Sequence, residues 1–526
     1  FKANPIVIEK LKAQKKLLSN GELIHSYPHS WRSKAPLVHR ATPQWFISME
    51  SHGLRKKALK ALDDTTFYPD KGRERIKAMI QTRPDWCVSR QRVWGVPLPI
   101  FVHKTTKEIL ADDEVNENIA SIYEKEGSDC WFSDDPQRFL GEKYKAEDYD
   151  KISDIVEVWF DSGCTHAFVL EKREDLQWPA SMYLEGSDQH RGWFHSSLLE
   201  SCGTRGRAPY ESILSHGFVV DGKGLKMSKS VGNVIAPEDI LKKYGADILR
   251  IWVASSNYAE DLRIDYSILE QHADSYRKIR NTFRYLLGNL NDNFEEINLE
   301  KLDLNQLPEL EQYMLHRIYN LNENFKNYFK SYDFHNLYKE LLNFCTVDLS
   351  AFYFDIRKDA LYCDSKDSER RKSSIIVLNI ILESLTKWFA PILSFTTEEI
   401  YRLINKNKKS IHLENFMKFP KVFENINLSK KWLELKKIRD ICNISIEAKR
   451  ATKEIGSSLE SNLTISLNKD LYEMSSEVDF AELCITSSAI VKKSTLEEVM
   501  VETKKATGNK CPVCWKITQD KCARHS

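Results

Sequence analysis

The chain has 526 residues, of which 42% are hydrophobic and 29% are charged, and its formal net charge is +1. This length predicts three or four domains with buried cores, and the near-zero charge excludes a global basic field that would attract nucleic acid. Any polyanion must therefore bind to a local patch.

Other sequence features argue against a membrane protein and against a secreted disulfide scaffold. The most apolar stretch, residues 375–395, is interrupted by two charged residues, an asparagine and a proline, so we expect no membrane segment. The 11 cysteines lack the spacing of a disulfide framework, which favours a reducing compartment, and we expect the cytoplasm. The chain opens at Phe1 without a charged and then apolar leader, so we expect a fragment without a signal peptide.

The middle of the chain predicts a parallel α/β sheet. Short β-rich runs at Ile155–Phe160, Met182–Leu184 and His216–Val220 alternate with helical runs at Phe194–Cys202 and Pro237–Tyr244. Ligands of such sheets bind beyond the carboxyl ends of the strands, so polar residues at those positions are candidate site residues.

A polar run follows the predicted strand at Met182–Leu184. Glu185 and Asp188 can accept hydrogen bonds from an ammonium group or from ribose hydroxyls, Gln189 can donate and accept, and Trp193 offers a flat apolar wall. The alternative is a capping and packing turn, with Asp188 as a helix N-cap and Trp193 in the core. The sequence leaves both interpretations open.

A lysine-rich loop follows the strand predicted at His216–Val220. A glycine turn at residues 221–224 precedes the loop, and a helix begins after it at Pro237, with acidic residues in its first turn. Lys226 and Lys229, three positions apart, can hold a polyphosphate as point charges, and the nearby glycines permit a close approach. A solvated basic turn is an equally open interpretation of these residues taken alone.

From Gln271 to about Tyr401 the apolar spacing becomes helical and predicts an α-helical bundle. In its first helix Ile279, Phe283, Leu286, Leu287 and Leu290 share one face, and Arg277, Arg280 and Arg284 lie opposite. Such a basic stripe is more often a solvated face than a phosphate track. Further basic residues are Arg317, Lys326, Lys330, Lys339 and Arg357.

The last hundred residues predict a small domain and a metal site. Helical spacing over residues 432–453 precedes a short β-like run at Leu463–Leu467. The tail then offers three thiols and one imidazole within fifteen residues, a good tetrahedral zinc set: Cys511, Cys514, Cys522 and His525. The alternative is reduced cysteines without metal near a frayed terminus. His525 is the least secure ligand because it lies one residue from the end.

Several of these segments resemble a known family. Residues 224–250, with Lys226–Ser230 and Gly232-Asn233, resemble the signature loop and following helix of class I aminoacyl-tRNA synthetases. Residues 86–95, 158–163 and 183–194 resemble the isoleucine-specific branch rather than the valine or leucine branch, and valine is the alternative within the class.

The resemblance implies a multidomain α/β plus all-α fold. We expect the exit of an editing insertion in residues 1–50, the second half of a Rossmann-like catalytic domain in 51–265, an α-helical anticodon-binding bundle in 266–425, a small α/β domain in 426–500 and a zinc-binding tail in 501–526. The family often ends in a structural zinc unit with more widely spaced ligands, so the short spacing here leaves His525 in question.

The resemblance also implies an activity: the ATP-dependent attachment of isoleucine to tRNA(Ile) through isoleucyl-adenylate, with Mg²⁺ accompanying ATP. It assigns catalysis to Lys226 and Lys229, with Lys229 the stronger candidate, and implies a usually monomeric protein. ATP binding is assigned to Lys226, Met227, Ser228, Lys229 and Ser230. Binding of the aminoacyl-adenylate is assigned to Glu185, Gly186, Asp188, Gln189, Trp193 and Trp159.

One half of the expected active site is missing from the sequence. No His-x-Gly-His motif occurs in the 526 residues, and His190 does not substitute for it. One methylene separates isoleucine from valine and yields only about 1–3 kcal/mol of selectivity, a limit established for this very pair of amino acids, so we expect the proofreading site upstream. We therefore expect this chain to be inactive alone, and a truncated tRNA-binding module is the alternative from another class of function.

Overall fold

The computed structural model describes residues 3–30, 33–229, 231–290, 294–405 and 409–525. Its helices in chain order are α1 (Ala3–Ala13), α2 (Leu54–Asp63), α3 (Lys71–Gln81), α4 (Asp113–Glu126), α5 (Cys130–Ser133), α6 (Pro136–Leu140), α7 (Val158–Gly163), α8 (Trp193–Thr204), α9 (Pro237–Tyr244), α10 (Ala246–Ser255), α11 (Tyr266–Leu290), α12 (Glu309–Ser331), α13 (Phe334–Asn343), α14 (Phe354–Cys363), α15 (Glu369–Phe389), α16 (Ser394–Ile404), α17 (Ile426–Ala451), α18 (Lys469–Met474) and α19 (Phe480–Leu483). Two π-helical segments lie at His166–Leu170 and Phe344–Tyr353.

The strands in chain order are β1 (Phe46–Ile47), β2 (Thr66–Tyr68), β3 (Trp86–Cys87), β4 (Ser89–Arg90), β5 (Phe101–His103), β6 (Tyr149–Lys151), β7 (Ile155–Val156), β8 (Tyr183–Gly186), β9 (Ser212–His216), β10 (Val219–Asp221), β11 (Leu262–Ile264), β12 (Ser461–Leu467), β13 (Ser488–Lys493), β14 (Met500–Lys505), β15 (Asn509–Lys510) and β16 (Ile517–Thr518). The described residues form two compact units, and no described helix has the length and apolar character needed to cross a membrane.

The first unit comprises described residues within 3–61, 79–173 and 196–208. Its strands form three short antiparallel pairs, β1 with β3, β4 with β7 and β5 with β6. A small apolar core lies under α4, α5 and α6, centred on Trp131, which is fully buried and donates its indole N–H to the carbonyl of Ile152. This aromatic core holds together elements that are too short to be stable alone.

The second unit comprises described residues within 62–78, 174–195 and 209–525. It contains a three-stranded parallel sheet in the order β2-β9-β8, the parallel pair β10 and β11, and a helical bundle built from α11 to α17. A three-stranded sheet in the order β13-β12-β14 and the hairpin of β15 and β16 follow the bundle. The mixed α/β and all-α fold class is confirmed, whereas the boundaries of the five predicted domains stay predictions.

The helical face predicted for α11 is confirmed. Ile279, Phe283, Leu286 and Leu290 are buried in the bundle core, and Leu287 packs against that core while staying partly exposed. The three arginines of the opposite face are exposed. A period of 3.6 residues therefore identified this element correctly, because one apolar stripe of the helix faces the core.

Two strand predictions were wrong. Only Ile155–Val156 of the run Ile155–Phe160 is a strand, because the chain turns at Glu157 and continues as α7. The carboxylate of Glu157 faces inward and accepts the indole N–H of Trp86 at 2.9 Å.

The run His216–Val220 contains two strands rather than one. β9 ends at His216, and β10 begins at Val219 and pairs with β11 instead. Gly217 lies between them against the backbone of Glu260, where an added Cβ would approach a carbonyl oxygen to 2.2 Å. This close approach diverts the chain to a new strand partner and requires glycine.

Candidate active site and metal centre

The carboxyl end of β8 presents the predicted substrate residues. β8 pairs in parallel with β9, which places Glu185 opposite Ser215 and Gly186 opposite His216. Glu185 is exposed and Gly186 is buried. An added Cβ on Gly186 would lie 2.7 Å from a carboxylate oxygen of Asp188, so glycine lets the turn fold back on itself. The two carboxylates lie at the sheet edge where an α/β fold binds ligands.

Gln189 rather than Asp188 caps helix α8. The side-chain oxygen of Gln189 accepts the backbone N–H of Trp193 at 2.9 Å, and its amide nitrogen donates to Asp188 at 3.3 Å. The N-cap role considered for Asp188 is therefore wrong, and its carboxylate stays exposed. Both the amide oxygen and nitrogen of Gln189 already have partners within the protein, and Asp188 remains accessible to a ligand.

Trp193 and Trp159 belong to different units. The Trp193 ring stacks on Tyr183 with ring centroids 3.9 Å apart and an interplanar angle of 6°, so one of its faces is packed and the residue is half-buried. Trp159 lies on α7 of the first unit, is 43% exposed, and lines an open groove of about 590 Å³. Each ring keeps accessible surface, and their shared contact with an aliphatic substrate stays a prediction.

His190 follows Gln189 and is almost fully buried. Its Nδ1 lies 2.7 Å from the carbonyl oxygen of Ser187, and burial lowers its pKa. The ring therefore stays neutral and supports the turn, which agrees with the expectation that it does not replace a nucleotide-binding histidine motif.

The lysine loop leaves β10 and places both lysines at the surface. Lys226 and Lys229 are exposed, and Lys226 forms an isolated β-bridge with Val220. Met227, between them, packs against the apolar cluster of Ile240, Trp252, Leu262, Ile264 and Leu269. Ser230 lies outside the described residues. The loop is thus anchored through Met227 while its charged side chains reach solvent.

Sequence reasoning missed two polar residues that shape this loop. Asp221 accepts a hydrogen bond from the side chain of Asn233 at 2.9 Å, and this bond is the main cause that lowers the pKa of Asp221. The side-chain oxygen of Asn233 accepts the backbone N–H of Ser228, also at 2.9 Å. An asparagine directly after a glycine with φ of 75° was the available signal.

A buried carboxyl in the first unit was also missed. Glu200 on α8 is 8% exposed, and Gly163 packs so closely against it that an added Cβ would lie 2.3 Å from its carboxylate oxygen. Burial raises the pKa of Glu200 to about 8, so it is mostly protonated at neutral pH. Glu200 interacts with the thiol of Cys164, whose pKa is raised chiefly by burial and further by Glu200.

Two of the basic residues named from the bundle sequence form ion pairs inside the protein. Arg357 is 2% exposed and binds both carboxylate oxygens of Glu311 at 2.6 Å, and Arg317 pairs with the buried Asp348 at 3.0 Å. Arg357 is therefore not part of an exposed basic surface. The other six basic residues named from the bundle sequence are exposed: Arg277, Arg280, Arg284, Lys326, Lys330 and Lys339.

The four tail residues converge. The ligand atoms of Cys511, Cys514, Cys522 and His525 all lie within 4.8 Å of one another. Nδ1 of His525 is 3.5 Å from Sγ of Cys511 and 3.4 Å from Sγ of Cys522, and Cys514 and Cys522 are 3.8 Å apart. A tetrahedral zinc ion with bonds of about 2.3 Å to sulfur and about 2.0 Å to nitrogen would separate its ligand atoms by about 3.5–3.8 Å. The donor set and its spacing fit zinc.

The backbone and the neighbouring helix prepare these ligands. The hairpin of β15 and β16 holds the Cys511–Cys514 turn, and backbone N–H groups, chiefly that of Cys514, lower the pKa of Cys511 to about 6. Nε2 of His525 lies 2.8 Å from the carbonyl oxygen of Cys363 on α14, which selects Nδ1 as the metal-facing atom. Arg524 pairs with Asp359 of the same helix at 2.6 Å.

The comparisons with known proteins agree with this architecture. Residues 10–265 match the family described as tRNA synthetases class I (I, L, M and V), and residues 311–466 match the anticodon-binding domain of tRNA ligase. Mycobacterium tuberculosis methionyl-tRNA synthetase in complex with methionyl-adenylate shares the fold, with a TM-score of 0.52 and 16% identity over 72% of this chain and 66% of that chain. The chain belongs to the class I aminoacyl-tRNA synthetases.

Within that class its curated relatives are isoleucine–tRNA ligases. The relative from Pelagibacter ubique (strain HTCC1062) is 87% identical over 526 residues, which cover 100% of this chain and 58% of the relative. The relative from Brucella abortus biovar 1 (strain 9-941) is 48% identical over 535 residues, covering 98% of this chain and 54% of the relative. The resemblance to the isoleucine branch is confirmed, and the chain spans a little over half the length of these relatives.

Proposed function

We propose that this chain takes part in the ATP-dependent attachment of isoleucine to tRNA(Ile) and supplies the lysine-loop half of the active site. The observation that supports this most strongly is the 87% identity over the whole chain to an isoleucine–tRNA ligase. The exposed lysines of an anchored loop and the carboxylates at the end of β8 are the side chains that the chemistry requires.

In the first step the isoleucine carboxylate attacks the α-phosphate of ATP. The bond between the α-phosphorus and the bridging oxygen breaks, pyrophosphate leaves with its Mg²⁺, and isoleucyl-adenylate remains. Negative charge grows on the departing pyrophosphate, so Lys226 and Lys229 stabilise the transition state as fixed cations. In the second step a ribose hydroxyl of tRNA(Ile) attacks the adenylate carbonyl and releases AMP.

For the adenylate we propose Glu185 and Asp188 as acceptors for the ammonium group and the ribose hydroxyls. Gly186 permits the close approach, Gln189 holds the turn in shape, and the half-buried Trp193 is proposed to contact the aliphatic side chain. Trp159 is also proposed as an adenylate-binding residue. For ATP the proposed segment remains Lys226–Ser230, with Met227 acting as the anchor of the loop.

The test requires the part of the protein that this chain does not span. We therefore define the full-length hybrid as the Pelagibacter ubique ligase in which this chain replaces the matching residues. Isoleucine-dependent exchange between ATP and pyrophosphate should occur in the hybrid. Lys229→Ala should lower the rate by about 100-fold or more, the size expected when one charge-stabilising group is lost.

Lys242→Ala is the matched control, because Lys242 is an exposed lysine on α9, the helix that follows the loop, and has no assigned role. Its exchange rate should stay within about twofold of the parent. An unchanged rate in Lys229→Ala contradicts the role of that lysine. Exchange that prefers valine to isoleucine contradicts the assignment of isoleucine as the substrate. No exchange with either amino acid favours the non-catalytic tRNA-binding module.

For tRNA we propose exposed basic residues of the bundle as contacts. They are Arg280 and Arg284 on α11, Lys330 on α12 and Lys339 on α13. Single-stranded bases are read by stacking and edge contacts, so these cations are proposed as phosphate contacts only. Arg284→Met should weaken tRNA(Ile) binding and reduce its salt dependence, whereas a mutation at a buried arginine should act through stability.

For the tail we propose one structural Zn²⁺ per chain, bound by Cys511, Cys514, Cys522 and His525. Four protein ligands leave no position open for a substrate, so the ion would hold the tail on α14 rather than take part in the reaction. Metal analysis should find about one equivalent of zinc, and Cys511→Ser should remove it. Less than half an equivalent contradicts the site. We further propose a reducing compartment, the cytoplasm, because none of the 11 cysteines, all of which lie within the described residues, forms a disulfide. A monomer is proposed because the family is usually monomeric.

A further inference from the structure

The lysine loop is held by a small network of hydrogen bonds centred on Asp221 and Asn233. Asp221 lies at the carboxyl end of β10, where it pairs with Ile264 of β11. One of its carboxylate oxygens accepts the backbone N–H groups of Lys223 at 3.0 Å and Leu225 at 2.8 Å, and the other accepts the side-chain N–H of Asn233 at 2.9 Å. Asp221 therefore fixes the start of the loop to a strand.

Asn233 fixes the middle of the loop. Its amide nitrogen also donates to the carbonyl oxygen of Lys226 at 3.2 Å, and its amide oxygen accepts the N–H of Ser228 at 2.9 Å. These bonds bracket Met227, whose side chain is packed in the apolar cluster. The orientation of the amide is dictated by its partners, because the reverse orientation would bring its oxygen against two other acceptors.

We propose that Asp221 and Asn233 form a latch that sets the position of Lys226 and Lys229, so that they are positioning residues for the ATP step. This inference rests on the proposed function. Only an asparagine side chain, with a donor and an acceptor on one short stem, meets both sets of partners. A leucine at position 233 would remove both the donor and the acceptor. An aspartate would keep the acceptor oxygen but put a second acceptor oxygen in place of the N–H donor.

The hydrogen bonds from Asn233 and from the backbone N–H of Leu225 are the main causes that lower the pKa of Asp221, and the charge of Lys223 contributes less. Lys223 lies on the same turn, and Arg263 of β11 approaches the position of a Cβ on Gly224 to 3.6 Å. Gly222 packs against the carboxylate of Asp265, whose pKa is lowered chiefly by the backbone N–H of Ile268, so this second acid stays ionised near neutral pH. The turn at residues 221–224 therefore lies between β10 and the segment after β11. The hydrogen bond between Asp221 and Asn233 joins this turn to the middle of the loop.

The decisive variant is Asn233→Asp in the full-length hybrid. It is nearly isosteric but places a carboxylate against Asp221 in place of the N–H donor. Two adjacent carboxylates cannot both stay ionised without separating, so the loop should be displaced at pH 8. We expect the KM for ATP in the exchange reaction to rise about 10-fold or more at pH 8, relative to the parent at the same pH.

The pH profile separates a latch from a general structural role. Lowering the pH to about 6 should reduce the KM ratio of variant to parent at least threefold, because a proton shared by the two carboxyl groups restores a donor between them. The exchanged pair, Asp221→Asn with Asn233→Asp, should recover part of the loss at every pH, since it restores one donor and one acceptor. Asn257→Asp is the matched control, because the side chain of Asn257 accepts the N–H of Ala259 and takes no part in the latch.

A normal KM for ATP in Asn233→Asp at pH 8, or a defect that does not change with pH, would overturn the latch. If the parent hybrid shows no exchange with isoleucine or valine, the proposed function fails, and the latch is then tested without activity. In that case the backbone amide of Ser228 should exchange with deuterium at least about 10-fold faster in Asn233→Ala than in the parent, because its acceptor is gone. Equal exchange rates refute the latch as well, and unchanged melting temperatures show that the variants are folded.

Discussion

Replacing the buried Arg357 should destabilise the helical bundle without removing a tRNA contact. Arg357 on α14 is 2% exposed, and its partner Glu311 on α12 is fully buried. Two bonds of 2.6 Å join them, a third bond of 2.7 Å joins Arg357 to Glu482, and Tyr353 and Ser374 also donate to Glu311. The pair is therefore fully desolvated and hydrogen-bonded on all sides.

The size of the destabilisation follows from the charge that remains on Glu311. Arg357→Met leaves Glu311 without a cation in the core, and removing one partner of a buried ion pair costs about 3–5 kcal/mol. At about 1.4 kcal/mol per factor of ten, the equilibrium constant for opening of the bundle should rise about 150-fold to 5000-fold. The double variant Glu311→Gln with Arg357→Met should recover most of this loss, because no unpaired charge remains.

Deuterium exchange of the core amides of α12 and α15 measures this opening directly. Lys326→Met is the matched control: Lys326 lies on α12 in a pair with Glu323 whose side chains are 45% and 44% exposed, so the change should stay within about 0.5 kcal/mol. A change of less than about 10-fold in Arg357→Met, or an equal effect in the control, would refute the reasoning. Folded Arg357→Met should bind tRNA(Ile) like the parent, in contrast to Arg284→Met.

Two further predictions concern buried positions near the proposed site. Burial raises the pKa of Glu200 from 4.5 to about 8, so the folded state keeps a proton that the unfolded chain loses, and stability falls as the pH rises between these values. Glu200→Gln should therefore stabilise the unit that contains residues 196–208 by on the order of 2–4 kcal/mol more at pH 8 than at pH 5, measured by thermal unfolding. If Glu200→Gln changes the stability by the same amount at pH 8 and at pH 5, the carboxyl group of Glu200 does not hold a proton in the folded state. Gly217→Ala should destabilise the β9–β10 connection by about 1–3 kcal/mol, because its methyl group would meet the backbone of Glu260, whereas Gly206→Ala, with open space around it, should show only the strain of its φ of 77°. Urea unfolding compares the two glycine variants, and equal losses would contradict the close contact.

The features that the sequence predicted correctly are local ones. Helix α11 has an apolar stripe that repeats every three or four residues, and the tail has its four candidate metal ligands within fifteen residues. The lysine loop lies between a strand and a proline-initiated helix. In each case the residues that define the feature are close in the chain, so their spacing alone is informative.

The features that the sequence did not reveal depend on partners far along the chain. Arg357 looked like a surface cation because its partner Glu311 is 46 positions away, and Gly217 ended a strand because the backbone of Glu260 lies against it. Trp193 is both packed and accessible, since Tyr183 stacks on its ring while the residue stays half-buried.

The sequence by itself therefore determined the class of protein, the periodic helices and the chemical identity of the candidate ligands. Only the tertiary structure decided which charged residues remain available to a ligand, because burial and pairing are set by distant segments that pack together. An arginine at the surface is available to contact a phosphate, whereas an arginine in the core pairs with a carboxylate. The free energy of desolvation makes the difference, because a buried charge requires a partner.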